Sequence, residues 1–359
     1  MVELMIIDRS LIQILKYNSK VSSDELYEFY LLLKELGVNY LEVDDSVLKV
    51  INFDIQGAVL RINTNADIDI LLKKNVNNII INNNKCDEKY IEGLINFFKD
   101  FNYLSKRSMN IILEFNINSF DSDMYMLENM YKAYGRDFFN KYIKFIQLRT
   151  TRSFIPLAVS EYVRTIKNSY KVKLGLYPVN LYHSASSMAI DAFENAFDYV
   201  TTAFYGIDNL EGEAALEEVI MGLKVIHCYE FKNETRLLQK IKETYENLTG
   251  VIISPNKAII GSDIFMCQSG IHIDGILKNP VNYEPYPPET VGLERAIVLG
   301  KHTGRAAVIN KLKECKIDFS KELIDKVVKK VREESIHSGV SVDLNKLLSI
   351  CKEVSENRI

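Results

Sequence analysis

The five histidines, His183, His227, His272, His302 and His337, never form a His-x-His pair. A catalytic divalent-metal site takes about three protein ligands and leaves a position open. Scattered histidines do not supply one. The five cysteines (Cys86, Cys228, Cys267, Cys315 and Cys351) are odd in number, with no CxxC spacing. That pattern reads as buried, reduced thiols rather than a disulfide frame or a structural zinc site. Two other patterns carry more chemistry. Ser269–Gly275 reads SGIHIDG and Asn282–Pro285 reads NYEP, which puts an imidazole and a phenol in one Gly- and Pro-bearing stretch. Imidazole titrates near neutrality and phenol can donate, so a His–Tyr pair suits moving a proton at a buried oxygen. A lone loop histidine is otherwise a surface or core residue. Arg149-Thr150-Thr151-Arg152 sets two guanidinium groups where they could take a dicarboxylate.

These groups need elements to position them. The apolar runs Leu4–Ile7, Tyr40–Val43, Ala58–Ile62, Asn78–Ile81, Asn110–Phe115, Phe145–Leu148, Val172–Tyr177 and Tyr199–Phe204 number eight. Between them, Asp24–Gly37, Asp87–Phe101 and Ala214–Ile226 carry a helical period. Eight strand–helix repeats predict an α/β fold, a (β/α)8 TIM barrel spanning residues 1–250. An open doubly wound sheet is the alternative, but no Gly-rich turn follows the first run. After residue 250 the pattern changes. Residues 251–305, which include the stretch Ile260–Gly304, read as a linker subdomain. Residues 306–359, with the helices Ala306–Lys316, Lys321–Glu334 and Leu344–Val354, read as a C-terminal helical subdomain.

With 47% apolar and 26% charged residues among 359, the chain has the composition of a soluble globular protein. A formal charge of −4 without a basic stripe argues against a nucleic-acid groove. No run approaches the ~18 apolar residues of a membrane span. Glu3, Asp8 and Arg9 interrupt the layout of a signal peptide. A cytoplasmic location is expected.

The stretch Gly261–Val308, with EEVIMGLK at Glu217–Lys224 and DYV at Asp198–Val200, closely resembles the homocitrate synthases and their isopropylmalate and citramalate relatives. The similarity runs over essentially the whole chain. Enzymes of that family condense acetyl-CoA with a 2-oxo acid on a divalent metal held by the barrel. The segment after the barrel reaches over the neighbouring subunit's active site. The resemblance implies that His272 and Tyr283 act there, with Gly270 and Gly275 making tight turns around the histidine.

Elsewhere the sequence departs from the family. The first-strand segment Asp-Thr-Thr-Leu-Arg-Asp-Gly becomes Asp8-Arg9-Ser10-Leu11-Ile12-Gln13-Ile14. The catalytic Arg is then Ile12, and the metal-binding Asp is Gln13. Counting back from Asp198, the His-x-His-Asn-Asp of strand seven falls on Tyr177-Pro178-Val179-Asn180-Leu181, where only Asn180 survives. After strand eight, Gly206 and Gly212 remain as backbone markers, while Glu213 replaces the ligand Asn. Arg149 and Arg152 add positive charge where a cation would sit. Glu42, Arg61, Arg149 and Thr150 stand at pocket positions, either as ordinary rim residues or with a retained substrate-binding role.

Retention of the His–Tyr segment and loss of the metal site together resemble the ω chain of two-chain homocitrate synthases, which are linked to nitrogenase cofactor supply. The resemblance implies a subunit that condenses acetyl-CoA with 2-oxoglutarate only together with a catalytic, α-type barrel chain. The divalent metal would be in that partner, and no cofactor would be bound by this chain. The alternatives are a non-catalytic regulatory paralogue, and a metal-free binding module using Arg149 and Arg152.

Overall fold

The structure is a computed structural model that describes residues 5–62, 76–82, 110–116, 143–150, 158–207, 212–228, 234–317 and 320–356, with a few positions between 93 and 141. The helix expected over Asp87–Phe101, together with Cys86, Thr151 and Arg152, lies outside the described residues.

Eight strands pair in chain order, all parallel: β1 (Met5–Asp8), β2 (Tyr40–Val43), β3 (Ala58–Ile62), β4 (Asn78–Asn82), β5 (Asn110–Asn116), β6 (Ile143–Thr150), β7 (Lys173–Pro178) and β8 (Tyr199–Ala203). β1 also pairs with β8, with Ile6 opposite Val200, and this closes the barrel. Strands buried on both faces need near-continuous apolar sequence, as in the fully buried AVLRI of β3. A ninth strand, β9 (Ala214–Ala215), adds to β8 where a helix start was expected; the helix itself runs Leu216–Ile226.

Two outer helices show how local sequence sets element boundaries. Ser22 and Glu25 form a reciprocal capping box that starts the helix Ser23–Glu35. Asp44 accepts the backbone N–H groups of Ser46 and Val47 to start Asp45–Val50.

The barrel interior is plugged by Ile7, Val59, Ile80, Ile112 and Tyr199. Burying each aliphatic side chain contributes about 1.5–3 kcal/mol. Tyr199 fits because β7 carries Gly175 beside it: a Cβ there would stand 2.1 Å from the ring. Its hydroxyl donates to the Ile146 carbonyl at 3.1 Å.

The chain divides into two compact units, Met1–Glu234 with Lys240–Ile252, and Thr235–Gln239 with Ile253–Ile359. The second holds a short parallel pair, β10 (Met266–Cys267) with β11 (Ala296–Ile297). Its helices are Gly270–Lys278, Arg305–Glu314, Ile324–Ser338 and Leu344–Glu356. Ile273 and Leu299, from the Gly- and Pro-bearing stretch, share one hydrophobic cluster with Leu312, Val327, Val331, Leu347 and Ile350. Among the described residues, no helix is long and apolar enough to cross a membrane. The cysteines correct the sequence reading in part. Four are free, but only Cys351 is buried, and Cys228, just past the end of the helix Leu216–Ile226, is exposed.

Candidate functional site

In a (β/α)8 barrel, the C-terminal ends of the strands form the working face. Here that face is filled by interlocked charges. Arg61 on β3 donates from Nε to Glu42 on β2 at 2.5 Å, and from its two terminal nitrogens to Glu114 on β5 at 2.8 and 2.7 Å. Glu114 accepts two further bonds, from Asn82 on β4 at 2.5 Å and from Gln147 on β6 at 2.7 Å. Gln147 in turn accepts from Thr201 on β8 at 3.1 Å. One guanidinium and one carboxylate thus tie strands two to six, and every bond is buried.

Arg9, immediately after β1, makes the second knot. Its Nε donates to Glu42 at 2.9 Å, and one terminal nitrogen donates to Glu213 at 2.5 Å and to the Tyr177 hydroxyl. The Tyr177 hydroxyl donates to the same Glu213 oxygen at 3.2 Å. Arg9 lies 5.0 Å from the Tyr177 ring centre and Arg149 lies 5.3 Å from it, so the ring is flanked by two cations. Glu213 is brought here by its backbone. Its N–H donates to the Gly206 carbonyl at 2.9 Å, and it forms an antiparallel bridge with Val179. Gly206 has φ +65°, and a Cβ there would stand 2.7 Å from the Glu213 carbonyl oxygen, so the approach requires glycine.

The electrostatics follow from burial and pairing. Burial opposes ionisation of Glu42, but Arg61 and Arg9 hold its carboxyl below the usual carboxylate range. Glu114, against the same burial, is brought down to about 2 by Arg61, Gln147 and Asn82. Burial pushes the Tyr177 phenol up despite Arg9, so Tyr177 stays a neutral donor. Asp8, fully buried at the end of β1, is pushed up by burial to about 7. Its bonds from the Ser10 N–H and the Thr202 hydroxyl resist that rise.

The structure separates the positions that the resemblance assigned to metal ligation. Tyr177, Val179 and Glu213 come together in the mouth. Gln13 does not join them: it sits in the helix Ser10–Tyr17, donates to the Ile207 carbonyl at 3.0 Å and accepts from the Tyr245 hydroxyl at 3.1 Å. Ile12 is buried on the same helix. Asn180 accepts the backbone N–H of Ala185, a structural role at the start of the next helix. Thr150 ends β6, and its carbonyl accepts from Val179 N–H at 2.8 Å. A metal needs carboxylate or imidazole lone pairs free to converge on one point. Among the described residues, no group of three or more His, Cys, Asp or Glu does so. The carboxylates that do converge, Glu42 and Glu213, already share a guanidinium. The described residues of the mouth do not fit a divalent metal.

The second candidate lies wholly within the second unit. His272 is on the helix Gly270–Lys278, with its ring centre 4.8 Å from that of Tyr283 and tilted by 39°. His272 is exposed and Tyr283 is about half exposed. Gly270 and Gly275 make no turns, contrary to the sequence expectation. Both are helical, and neither has a positive φ. They allow close approach instead: a Cβ on Gly275 would stand 2.3 Å from the Tyr283 ring, and one on Gly270 would stand 2.7 Å from Gly304 Cα. The residue after Tyr283 is anchored. Buried Glu284 takes two bonds from Arg295, at 2.6 and 2.5 Å, just ahead of β11.

Sequence reasoning missed Arg9, Glu114, Asn82 and Gln147 in the mouth, and Glu284 with Arg295 beside the His–Tyr pair. The available signal was a charged or amide side chain at or just past the end of an otherwise apolar strand run.

Residues 259–337 match the family described as homocitrate synthase post-HMGL domain-like. Over 356 residues, the chain is 30% identical to the homocitrate synthase omega subunit of Clostridium pasteurianum, covering 98% of this chain and 96% of that protein. It is also 30% identical over 331 residues to homocitrate synthase AksA of Methanocaldococcus jannaschii, covering 84% and 78% of the two chains. Among solved structures, hydroxymethylglutaryl-CoA lyase from Pseudomonas aeruginosa superposes with a TM-score of 0.53 at 11% identity, over 70% of this chain and 94% of that one. That likeness is one of fold.

Proposed function

Because the chain belongs to the homocitrate synthase family, we propose that it is the metal-free subunit of a two-chain homocitrate synthase and works in the active site of a partner barrel. The observation that carries this reading is the contrast within one molecule. The described barrel mouth is occupied by its own ion pairs, while His272 and Tyr283 are held together and open to a partner.

In this reading the partner is a catalytic, α-type barrel chain that binds acetyl-CoA and 2-oxoglutarate, and a divalent metal held there would supply Lewis-acid chemistry at the oxo group. Carbon–carbon bond formation requires removal of a methyl proton from the acetyl group and protonation of the oxo oxygen as it becomes an alkoxide. Release of CoA then requires water to cleave the thioester. The His272 imidazole can accept a proton at one ring nitrogen and donate from the other, which suits the proton transfers. Tyr283 is a donor beside it. The isolated chain is inactive, and the pair supplies homocitrate in the cytoplasm, including for the nitrogenase iron–molybdenum cofactor. The omega designation of the Clostridium relative supports the subunit assignment.

The test is co-expression with a short barrel paralogue that carries the complete metal motif, followed by measurement of CoA release from acetyl-CoA and 2-oxoglutarate. Activity is expected only from the pair, and His272→Ala should lower kcat by about 10²–10⁴-fold, the range of a lost general acid or base. Full activity from the His272→Ala pair would end the in-trans reading. Stable association whose activity ignores both His272 and Tyr283 would make the chain a regulatory paralogue instead.

A further inference from the structure

The mouth of the barrel holds a cation of its own. Arg9 leaves the end of β1 and reaches oxygens on three other parts of the barrel: Glu42 on β2, Tyr177 on β7 and Glu213 ahead of β9. This is the arrangement of an ion site, with one positive centre and oxygen donors converging from separate strand ends. The bonds are short, at 2.9 Å to Glu42 and 2.5 Å to Glu213. Both carboxylates are buried, Glu42 completely. Uncompensated, they would repel each other across a low-dielectric mouth.

We infer that the Arg9 guanidinium is the resident cation of this barrel, the permanent counter-ion of Glu42 and Glu213, and that it closes the mouth to divalent metals. Three observations support the assignment. First, among the described residues Arg61 pairs with Glu42 and with Glu114, while the ion pair of Glu213 is made by Arg9. Second, the second oxygen of Glu213 is buried with no hydrogen-bond partner, so a lone pair is still available there, yet a metal using it would sit beside a fixed positive charge. Third, the guanidinium cannot yield by losing a proton. Although burial works against its charge, Glu42, Tyr177 and Glu213 raise its pKa further.

A guanidinium also differs from a metal in what it permits. It has donors and no vacant coordination position, so it can organise carboxylates but cannot polarise a substrate carbonyl as a Lewis acid. The barrel is therefore held together by the same charges that make it unable to run metal chemistry.

The experiment uses the full chain alone, with Mn²⁺ as probe. Bound Mn²⁺ is titrated by paramagnetic resonance, and thermal unfolding is followed with and without the ion. The wild type should bind no stoichiometric Mn²⁺, and its melting temperature should not respond. Arg9→Ala leaves Glu213 without its ion pair and Glu42 with Arg61 alone, and should bind Mn²⁺ at least about tenfold more tightly than wild type, with a melting temperature that rises as Mn²⁺ is added. Should Arg9→Ala fail to fold, the double variant Arg9→Met/Glu213→Gln removes charge and partner together. It should fold, be more stable than Arg9→Met alone and ignore Mn²⁺. The inference is overturned by any of three results: wild-type binding of one Mn²⁺ that Glu213→Gln abolishes; a folded Arg9→Ala chain indifferent to Mn²⁺; or a double variant no more stable than Arg9→Met. None of these readouts involves a partner chain or turnover, so the outcome is separate from that of the subunit reading.

Discussion

The Tyr283 ring stands 4.8 Å from the His272 imidazole, and it can do so only because residue 275, one helical turn on from His272, has no side chain. Gly275→Ala therefore predicts an unusual combination. The new Cβ must push Tyr283 away, whereas alanine in a helix is intrinsically better than glycine by about 1 kcal/mol. We expect kcat of the proposed two-chain enzyme to fall by about 10²-fold, the cost of a misplacement of roughly 1 Å, with no loss of thermal stability. Unchanged kcat would show that the pair does not need this spacing.

Glu284→Gln tests the anchor rather than the proposed catalytic groups. The carboxylate takes two bonds from Arg295, and an amide can keep only one in the same geometry. Glu284 is a positioning residue for Tyr283, so kcat should fall while KM for acetyl-CoA stays the same. Equal changes in both would instead indicate a loosened subunit interface.

Glu114→Gln should be severe. The carboxylate accepts from four N–H groups, two on Arg61 and one each on Asn82 and Gln147. A glutamine amide turns one acceptor into a donor facing donors and leaves Arg61 with a single carboxylate. Breaking a buried pair by removing one partner costs about 3–5 kcal/mol. Denaturant unfolding of the full chain measures this directly, and a loss under about 1 kcal/mol would contradict the role given to the network.

Asp8 and Glu114 set opposite pH dependences. Asp8 has its folded pKa raised to about 7 from 3.8, so between those values the native state binds a proton that the unfolded chain has released. Stability should therefore fall as pH rises through that window. Glu114, lowered to about 2 from 4.5, contributes stability that is present above 4.5 and is lost as pH falls towards 2. Asp8→Asn keeps an acceptor of the same shape and should flatten the decline between about pH 4 and 7. An unaltered slope in that variant would assign the decline to another group.

The strands were legible where apolar side chains run without a break. β2 and β3 begin and end at the residues the apolar runs indicated, Tyr40–Val43 and Ala58–Ile62. β6 extends past the apolar run Phe145–Leu148 at both ends, to Ile143–Thr150, and Arg149, beyond that run, is inside the strand beside Tyr177. The local pattern cannot tell such residues from the start of a loop. The family resemblance put His272 and Tyr283 together, and their rings do lie side by side, but the reason for Gly275 was not legible. A glycine next to a histidine suggests a turn until the ring packed over it is seen.

The amino-acid sequence alone determined the eightfold strand–helix repeat, the change of character after residue 250 and the lack of any His-x-His pair. All of these are properties of residue type and short-range period, which one-dimensional order preserves. Only the tertiary structure decided which groups meet in the barrel mouth. Arg9 meets Glu42, Tyr177 and Glu213 across separations of 33, 168 and 204 residues. It does so because barrel closure brings the ends of β1, β2 and β7 and the segment after β8 to one face. Gln13, the residue that counting along the chain put in that site, is turned away by the helix that begins at Ser10. Charge pairing in a buried mouth depends on distances in space, and barrel closure, which the linear order does not record, sets those distances.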